Sequence, residues 1–218
     1  MGAEQKVVTN RAKCTGCGRC VEVCPTGAIY AMEHKDEAVY FAHRDGIKTV
    51  AQVDEKLIPE LEKVWKCEPG TVTKEQIAGS LKKIGIDQIV DAADGAALAR
   101  AEAEQMLSVH LGKKPVILAQ SLAAQKFVQK NWPELVDSFV FAPSAMEAFG
   151  HAAKAAFFPE AAQVKTYHVG PVGPDAAEAG ESGCVDFAVN ARELYRIMIR
   201  TGSEPNPKRT AAFAKLPA

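Results

Sequence analysis

No apolar run in this 218-residue sequence approaches the length that crosses a bilayer. The N-terminus, Met1-Gly-Ala-Glu-Gln-Lys-Val7, has no apolar signal segment. Charge of one sign is lacking too. The formal net charge is −1, which removes any overall electrostatic pull toward nucleic acid or an anionic membrane. The thin positive charge near the end, Lys208, Arg209 and Lys215, is too sparse for a nucleic-acid arm. There is no internal repeat. The six cysteines are not spread as a disulfide framework. These absences exclude membrane insertion and nucleic-acid binding as expectations and place the chain in the cytoplasm. A hydrophobic share of 47% with 24% charged residues suffices for a real core. The length fits one medium domain plus a small module, or two small domains.

Against that plain background stand Cys14, Cys17, Cys20 and Cys24, the last followed by Pro25. The spacing C-x₂-C-x₂-C-x₃-C-P is that of bacterial ferredoxins and predicts one 4Fe-4S cluster. Three thiolates on a tight loop can hold three corners of one cubane, and exposed loop amides can hydrogen-bond its sulfides. Gly16 and Gly18 let the backbone turn and approach closely, and Pro25 stops the short helical turn before it. A structural zinc site would usually bring two separated ligand pairs across a long loop, which this run does not. Three arrangements supply the fourth ligand: Cys24 itself, a remote cysteine with Cys24 left free, or a thiolate from another subunit. Cys67 is the remote candidate on thiolate chemistry alone. Cys184, beside the apolar run Val185 to Val189, reads as a small buried residue.

Downstream, Ala28–Ala31 and Glu37–Ala42 read as short strands around the polar turn Glu33–Asp36, completing a half-ferredoxin. Helices alternating with short apolar strands follow. Helices are expected over Asp54–Lys66, from Thr73 (a capping box with Gln76) to Gly85, over Gly95–Leu111, through Phe127 and Val128, from Ser144 through Phe157, and from Asn190 to Gly202. Strands are expected at Gln88–Val90, Pro115–Ala119 (a buried type, from its unbroken apolar run), Ser138–Ala142, Val164–Val169 and Val185–Val189. The predicted class is α/β: a half-ferredoxin module followed by a mostly parallel sheet with helices on its faces. The expected division is 1–45, the 4Fe-4S module; 46–202, the α/β domain; and 203–218, an extended or disordered tail.

The order of short motifs in the second part resembles the catalytic domain of iron-only hydrogenases, over about residues 54 to 202. Lys82-Lys-Ile-Gly-Ile-Asp-Gln-Ile-Val-Asp91 looks like that family's leucine–glycine–phenylalanine–aspartate strand entry. Asn131-Trp-Pro-Glu-Leu135 is similar to its aromatic-Pro-Glu-Leu segment, and Phe149-Gly-His-Ala-Ala-Lys154 to its Phe-Gly-x-x-x-Lys helix. Val169-Gly-Pro-Val172 with Glu178-Ala179, then Val185-Asp-Phe187 and Arg192-Glu-Leu194, resembles the stretch ending in its Val-Asp and Arg-Glu-Leu elements. A ferredoxin module ahead of the domain is also that family's arrangement.

The departures carry equal weight. The resemblance implies a Thr-Ser-Cys-Cys-Pro-Gly-Trp turn that gives a thiolate to the hydrogen-activating cluster; Gln120 and Ser121 stand near those cysteine positions. Val172 stands at a second ligand position. The lysine expected soon after it has no counterpart in Gly173-Pro-Asp175, and the family's last two cysteines lie in a C-terminal segment not in this sequence. Valine cannot bind iron and a serine hydroxyl is a poor soft-site ligand, so the hydrogen-activating cluster is expected to be absent.

The resulting expectation is an electron-transfer subunit of a larger anaerobic redox complex. Redox protein subunits are its partners, and no small-molecule substrate is identified. An enzyme with new chemistry would draw on Gln120, Ser121, Ser144, Glu147 and Asp175, whose plainer role is in helix caps and turns. A redox sensor or assembly factor is the remaining class, and no sequence feature selects it. None of the five histidines is assigned as a ligand, and Arg11, Lys13 and Arg19 read as a solvated loop that could steer an acidic partner.

Overall fold

The computed structural model describes residues 9–10, 12–26, 28–29, 35–110, 116–171 and 173–216. Two short helices come first, α1 (Arg19–Glu22) and α2 (Lys35–Ala42). The α/β part follows as β1 (Ile47–Val53), α3 (Ile58–Trp65), α4 (Lys74–Ile84), β2 (Gln88–Asp91), α5 (Ala92–Ser108), β3 (Ile117–Ala119) and α6 (Leu122–Asn131). It closes with β4 (Phe139–Phe141), α7 (Ala145–Phe157), β5 (Gln163–Gly170), α8 (Asp175–Ser182), β6 (Phe187–Asn190) and α9 (Ala191–Thr201). The main sheet runs β2-β1-β5-β6 with every pair parallel, and β3 pairs with β4, also parallel. Among the described residues no helix is long and apolar enough to cross a membrane.

Strand side chains alternate between two cores, as the pleat requires. Ala51, Val53, Ile89, Tyr167, Val169, Phe187 and Val189 face a core closed by α2, α3, α4 and α9. Val50, Val90 and Ala188 face the other, closed by α7 (Met146, Phe149, Ala153) and α8 (Ala176, Ala179). Helix ends follow the local chemistry. Thr73 with Gln76, Ser144 with Glu147 and Asn190 with Glu193 form capping boxes, and Gly85 and Gly202 close α4 and α9 in the left-handed region. Residues 203–216 lie across the domain. The Ala214 amide donates to the Ile89 carbonyl at 2.7 Å, Ala211 to Glu75 at 3.0 Å, and Ala214 bridges Val90 in parallel, so the tail covers the edge of β2.

Three expectations change. Glu37–Ala42 is not a strand but part of α2. Its apolar positions Ala38, Phe41 and Ala42 form an i, i+3, i+4 stripe against the core. The Tyr167 hydroxyl donates to the Ala38 carbonyl at 3.0 Å and Arg200 grips Asp36 at 2.6 Å, so packing outweighs the strand preference of Val-Tyr-Phe. Residues 30, 31, 33 and 34 of the expected half-ferredoxin, and residues 111–115, lie outside the described residues. The run ending at Ala119 is a strand but not a buried one, with Ile117 52% and Leu118 36% exposed. Finally, the central strand β1 went unassigned in the sequence. Thr49 and Gln52 interrupt its apolar pattern, yet both are buried, and Thr49 is tied through its hydroxyl and amide to Asp87 at 3.1 and 2.9 Å.

Candidate metal centre

The cysteine loop begins in a turn where the Cys14 amide donates to the Asn10 carbonyl at 2.8 Å. Gly16 and Gly18 adopt φ of 75° and 71°, a conformation costly for any residue with a Cβ, and α1 starts immediately after. Cys14, Cys17 and Cys20 are exposed and Cys24 is half-buried. Backbone amides reach sulfur: Gly16 donates to Cys14 Sγ at 3.4 Å and Ile29 to Cys24 Sγ at 3.5 Å. The Ile29 amide, with the Thr26 hydroxyl 3.6 Å away, lowers the Cys24 thiol to about 7. Hydrogen bonds of this kind favour thiolate, the form that binds metal.

The loop is seated on the α/β domain. Lys130 of α6 donates to the Cys14 carbonyl at 2.6 Å, and Arg192 of α9 to the Val21 carbonyl at 3.5 Å. Val21 is buried. A Cβ on Gly18 would stand 2.5 Å from the backbone of Gly173, and one on Gly16 would stand 3.1 Å from the Ala177 Cβ, so both glycines permit the close approach to α8. Among the described residues no three His, Cys, Asp or Glu side chains converge on a point that one metal ion could share. A multi-iron cluster asks for something else: each thiolate on a different iron, along one loop. Four thiols, exposed amides and left-handed glycines meet that demand, and the donor set fits a 4Fe-4S cluster.

The other thiols lie elsewhere. Cys67 points its Sγ at the Glu62 carbonyl, 3.7 Å away, and packs against the core beneath α3. Cys184 is buried, as expected, and burial pushes its thiol up despite the Ser182 hydroxyl 3.0 Å from its sulfur.

The second set of residues follows the C-terminal ends of β3, β4 and β5, the edge at which open α/β sheets usually carry their sites. Ser121 caps α6 by accepting from the Ala124 amide at 3.2 Å, and Gln120 donates to the Ala99 carbonyl at 3.5 Å. Ser144 and Glu147 cap α7. Ser144 also donates its hydroxyl to the Glu178 carboxylate, whose other oxygen accepts the Leu122 amide at 3.3 Å. Asp175 lies 3.2 Å from His168 Nε2, and His168 Nδ1 lies 3.0 Å from Gln52 Oε1. The fold therefore joins Ser144 to Glu178 and Asp175 to His168.

Sequence reasoning missed Gln52, His168 and Glu178 as site residues. The signals available were a glutamine inside the largely apolar run Ile47 to Val53 and a carboxylate inside a run of small residues. Glu178 is 4% exposed. Burial raises its carboxyl pKa; the bonds from Ser144 and Leu122 oppose that and the charges of Glu147 and Asp175 reinforce it. Helix α8 itself was not among the expected helices; Pro174 precedes its first residue. Val172 lies outside the described residues. The oxygen and nitrogen donors gathered here do not fit a soft, thiolate-anchored iron centre.

Comparison with known proteins accounts for both regions. Residues 7–30 match a 4Fe-4S binding domain. The NADP-reducing hydrogenase subunit HndD of Solidesulfovibrio fructosivorans is 27% identical over 199 residues, covering 86% of this chain and 34% of that protein. This chain thus spans about a third of that relative's length. A cysteine-to-histidine variant of apo FeFe-hydrogenase HydA1 from Chlamydomonas reinhardtii superposes with a TM-score of 0.71 at 17% identity, over 84% of this chain and 53% of that one. A glutamate-to-alanine variant of the same hydrogenase gives 0.70 at 18% identity over the same shares, 84% and 53%. Identities this low speak for the fold alone. Because residues 47–216 match the family described as the iron only hydrogenase large subunit, C-terminal domain, the chain belongs to that family.

Proposed function

We propose that this chain holds one 4Fe-4S cluster on Cys14, Cys17, Cys20 and Cys24. It would pass single electrons to or from partner subunits of a larger redox complex, and its hydrogenase-like domain would serve as a docking body that has lost the hydrogen-activating cluster. The observation that carries this reading is the four-thiol loop seated on a hydrogenase fold whose own ligand positions present Gln120 and Ser121. The cluster, when bound, stores one electron. The protein's share is to hold it at the surface, where three of the four thiols are exposed, and to fix the loop through Lys130 and Arg192. Cys24 is the favoured fourth ligand because it lies on the same loop, whereas Cys67 packs beneath α3. A boundary near residue 45 agrees with the two matched spans, 7–30 and 47–216, with α2 packed on the second. Likeness to a subunit of an NADP-reducing hydrogenase supports partner subunits.

The test is anaerobic purification with iron and sulfide counts, identification of co-purifying proteins, and hydrogen assays after treatment with hydrogenase maturation factors. One cubane per chain and no hydrogen turnover are expected. Hydrogen production above a metal-free control would overturn the loss of the active cluster. Restoring one cysteine at Ser121 should not recover activity, since that adds one thiolate to a site of oxygen and nitrogen donors.

A further inference from the structure

Helix α8 touches two things at once. Its outer side meets the cysteine loop, with Gly16 against Ala177 and Gly18 against the preceding Gly173. Its inner side carries Glu178, 4% exposed, bonded to the Ser144 hydroxyl and the Leu122 amide. Ser144 in turn lines an open groove of about 390 Å³ with Gln120, Arg100 and Glu104. A hydroxyl that bonds a buried carboxylate and also borders a solvent groove is a short route for a proton.

We infer that Glu178 is a proton-binding site coupled to the electron held on the cysteine loop: it takes up one proton when that centre is reduced and releases it on oxidation. The inference rests on the proposed iron–sulfur function. The balance is simple. A one-electron donor protein supplies the electron, water in the groove supplies the proton, and the only bond formed is O–H on the Glu178 carboxyl. Oxidation breaks that bond and returns the proton to water.

The surrounding charges favour this direction. Facing Glu178 are Glu147 from α7 and Asp175 from its own helix, both of which raise its affinity for a proton. From α6 comes the Leu122 amide, while Lys126 is engaged with Glu181 of α8. Asp175 in turn pairs with His168 of β5, which Gln52 of β1 holds from the other side. Cys184, packed after α8, feels Glu178 and Glu147 as negative neighbours. An electron added on the far side of α8 is one more negative charge beside an already acidic group, and protonating Glu178 offsets it.

The experiment is a redox titration of the cluster-loaded full chain, read by electron paramagnetic resonance across neutral pH. The wild-type midpoint should become more negative as pH rises, by up to about 59 mV per pH unit over a limited window, the one-electron value for a tenfold change in proton activity. Glu178→Gln should flatten that window while keeping the signal. Ser144→Ala removes a hydrogen bond that lowers the Glu178 affinity for protons, so it should move the window to higher pH, and it provides the test if Glu178→Gln does not fold. A pH-independent wild-type potential with an intact signal overturns the coupling alone. A slope that survives Glu178→Gln but vanishes in His168→Asn overturns the assignment to Glu178. Absence of any cluster signal in the wild type overturns the function it rests on, and the coupling with it.

Discussion

Cys17 sits on the exposed loop between two left-handed glycines and belongs to neither hydrophobic core. Cys17→Ser should therefore leave the α/β domain folded while abolishing or sharply altering the paramagnetic signal of the reduced chain. Full retention of iron in that variant would sink the ligand assignment, and parallel Cys24→Ser and Cys67→Ser chains would separate the two candidates for the fourth position. Asp186 has the opposite character, a structural carboxylate. It accepts from Lys165 at 2.7 Å and from the Thr166 amide and hydroxyl at 2.9 and 3.0 Å, with Lys154 at 3.4 Å. Burial pushes its pKa up, but these partners outweigh burial and hold it below the usual value. The folded pKa lies under the unfolded one, so its contribution is present above about pH 3.9 and lost as pH falls through the folded value. Asp186→Asn should cost about 1–3 kcal/mol near neutrality, and markedly less in acid, by urea denaturation at each pH.

Among the elements, α4 and the tail meet at Gly79. A Cβ there would stand 2.3 Å from the Arg209 carbonyl oxygen and 2.7 Å from its carbon, against backbone that cannot rotate away. Gly79→Ala should lift the tail from α4, cost about 1–3 kcal/mol, and speed proteolysis between Asn206 and Ala214; an unchanged cleavage rate would mean the tail is held by its other bonds alone. The same elements mark how much of the fold could be read beforehand. Helices α4 and α9 announce both ends through capping boxes and glycines, and α7 its start through a capping box, because those signals act over a single turn. By contrast, α2 carries strand-favouring residues and is helical because Ala38, Phe41 and Ala42 pack on the sheet. Strand β1 hid for a related reason: its buried polar residues, Thr49 and Gln52, find their partners on Asp87 and His168, distant in sequence.

Across the whole molecule, the cores on the two faces of the sheet are built without the cysteines of the loop. Removing iron with a chelator should leave most of the helical circular-dichroism signal and one cooperative thermal transition. Loss of all cooperative structure on chelation would mean that loop and domain are a single folding unit. Hydrogen bonds from Lys130 and Arg192 to the loop backbone give a way to check the seating: Lys130→Ala should raise amide exchange in the loop and leave the sheet unchanged.

Sequence alone determined the cysteine loop and the α/β class. Ligand spacing and helix caps are contiguous in the chain, and the motifs Asn131 to Leu135 and Phe149 to Lys154 keep their order whatever the packing. Tertiary structure alone decided which polar residues meet. Gln52, Ser144, His168, Asp175 and Glu178 come from β1, the cap of α7, β5 and, for the last two, α8, and only the parallel register that sets Gln52 beside His168, with α7 and α8 closing over the strand ends, brings them together. That convergence depends on burial and on contacts between elements, up to 116 residues apart for Gln52 and His168, which no local pattern encodes.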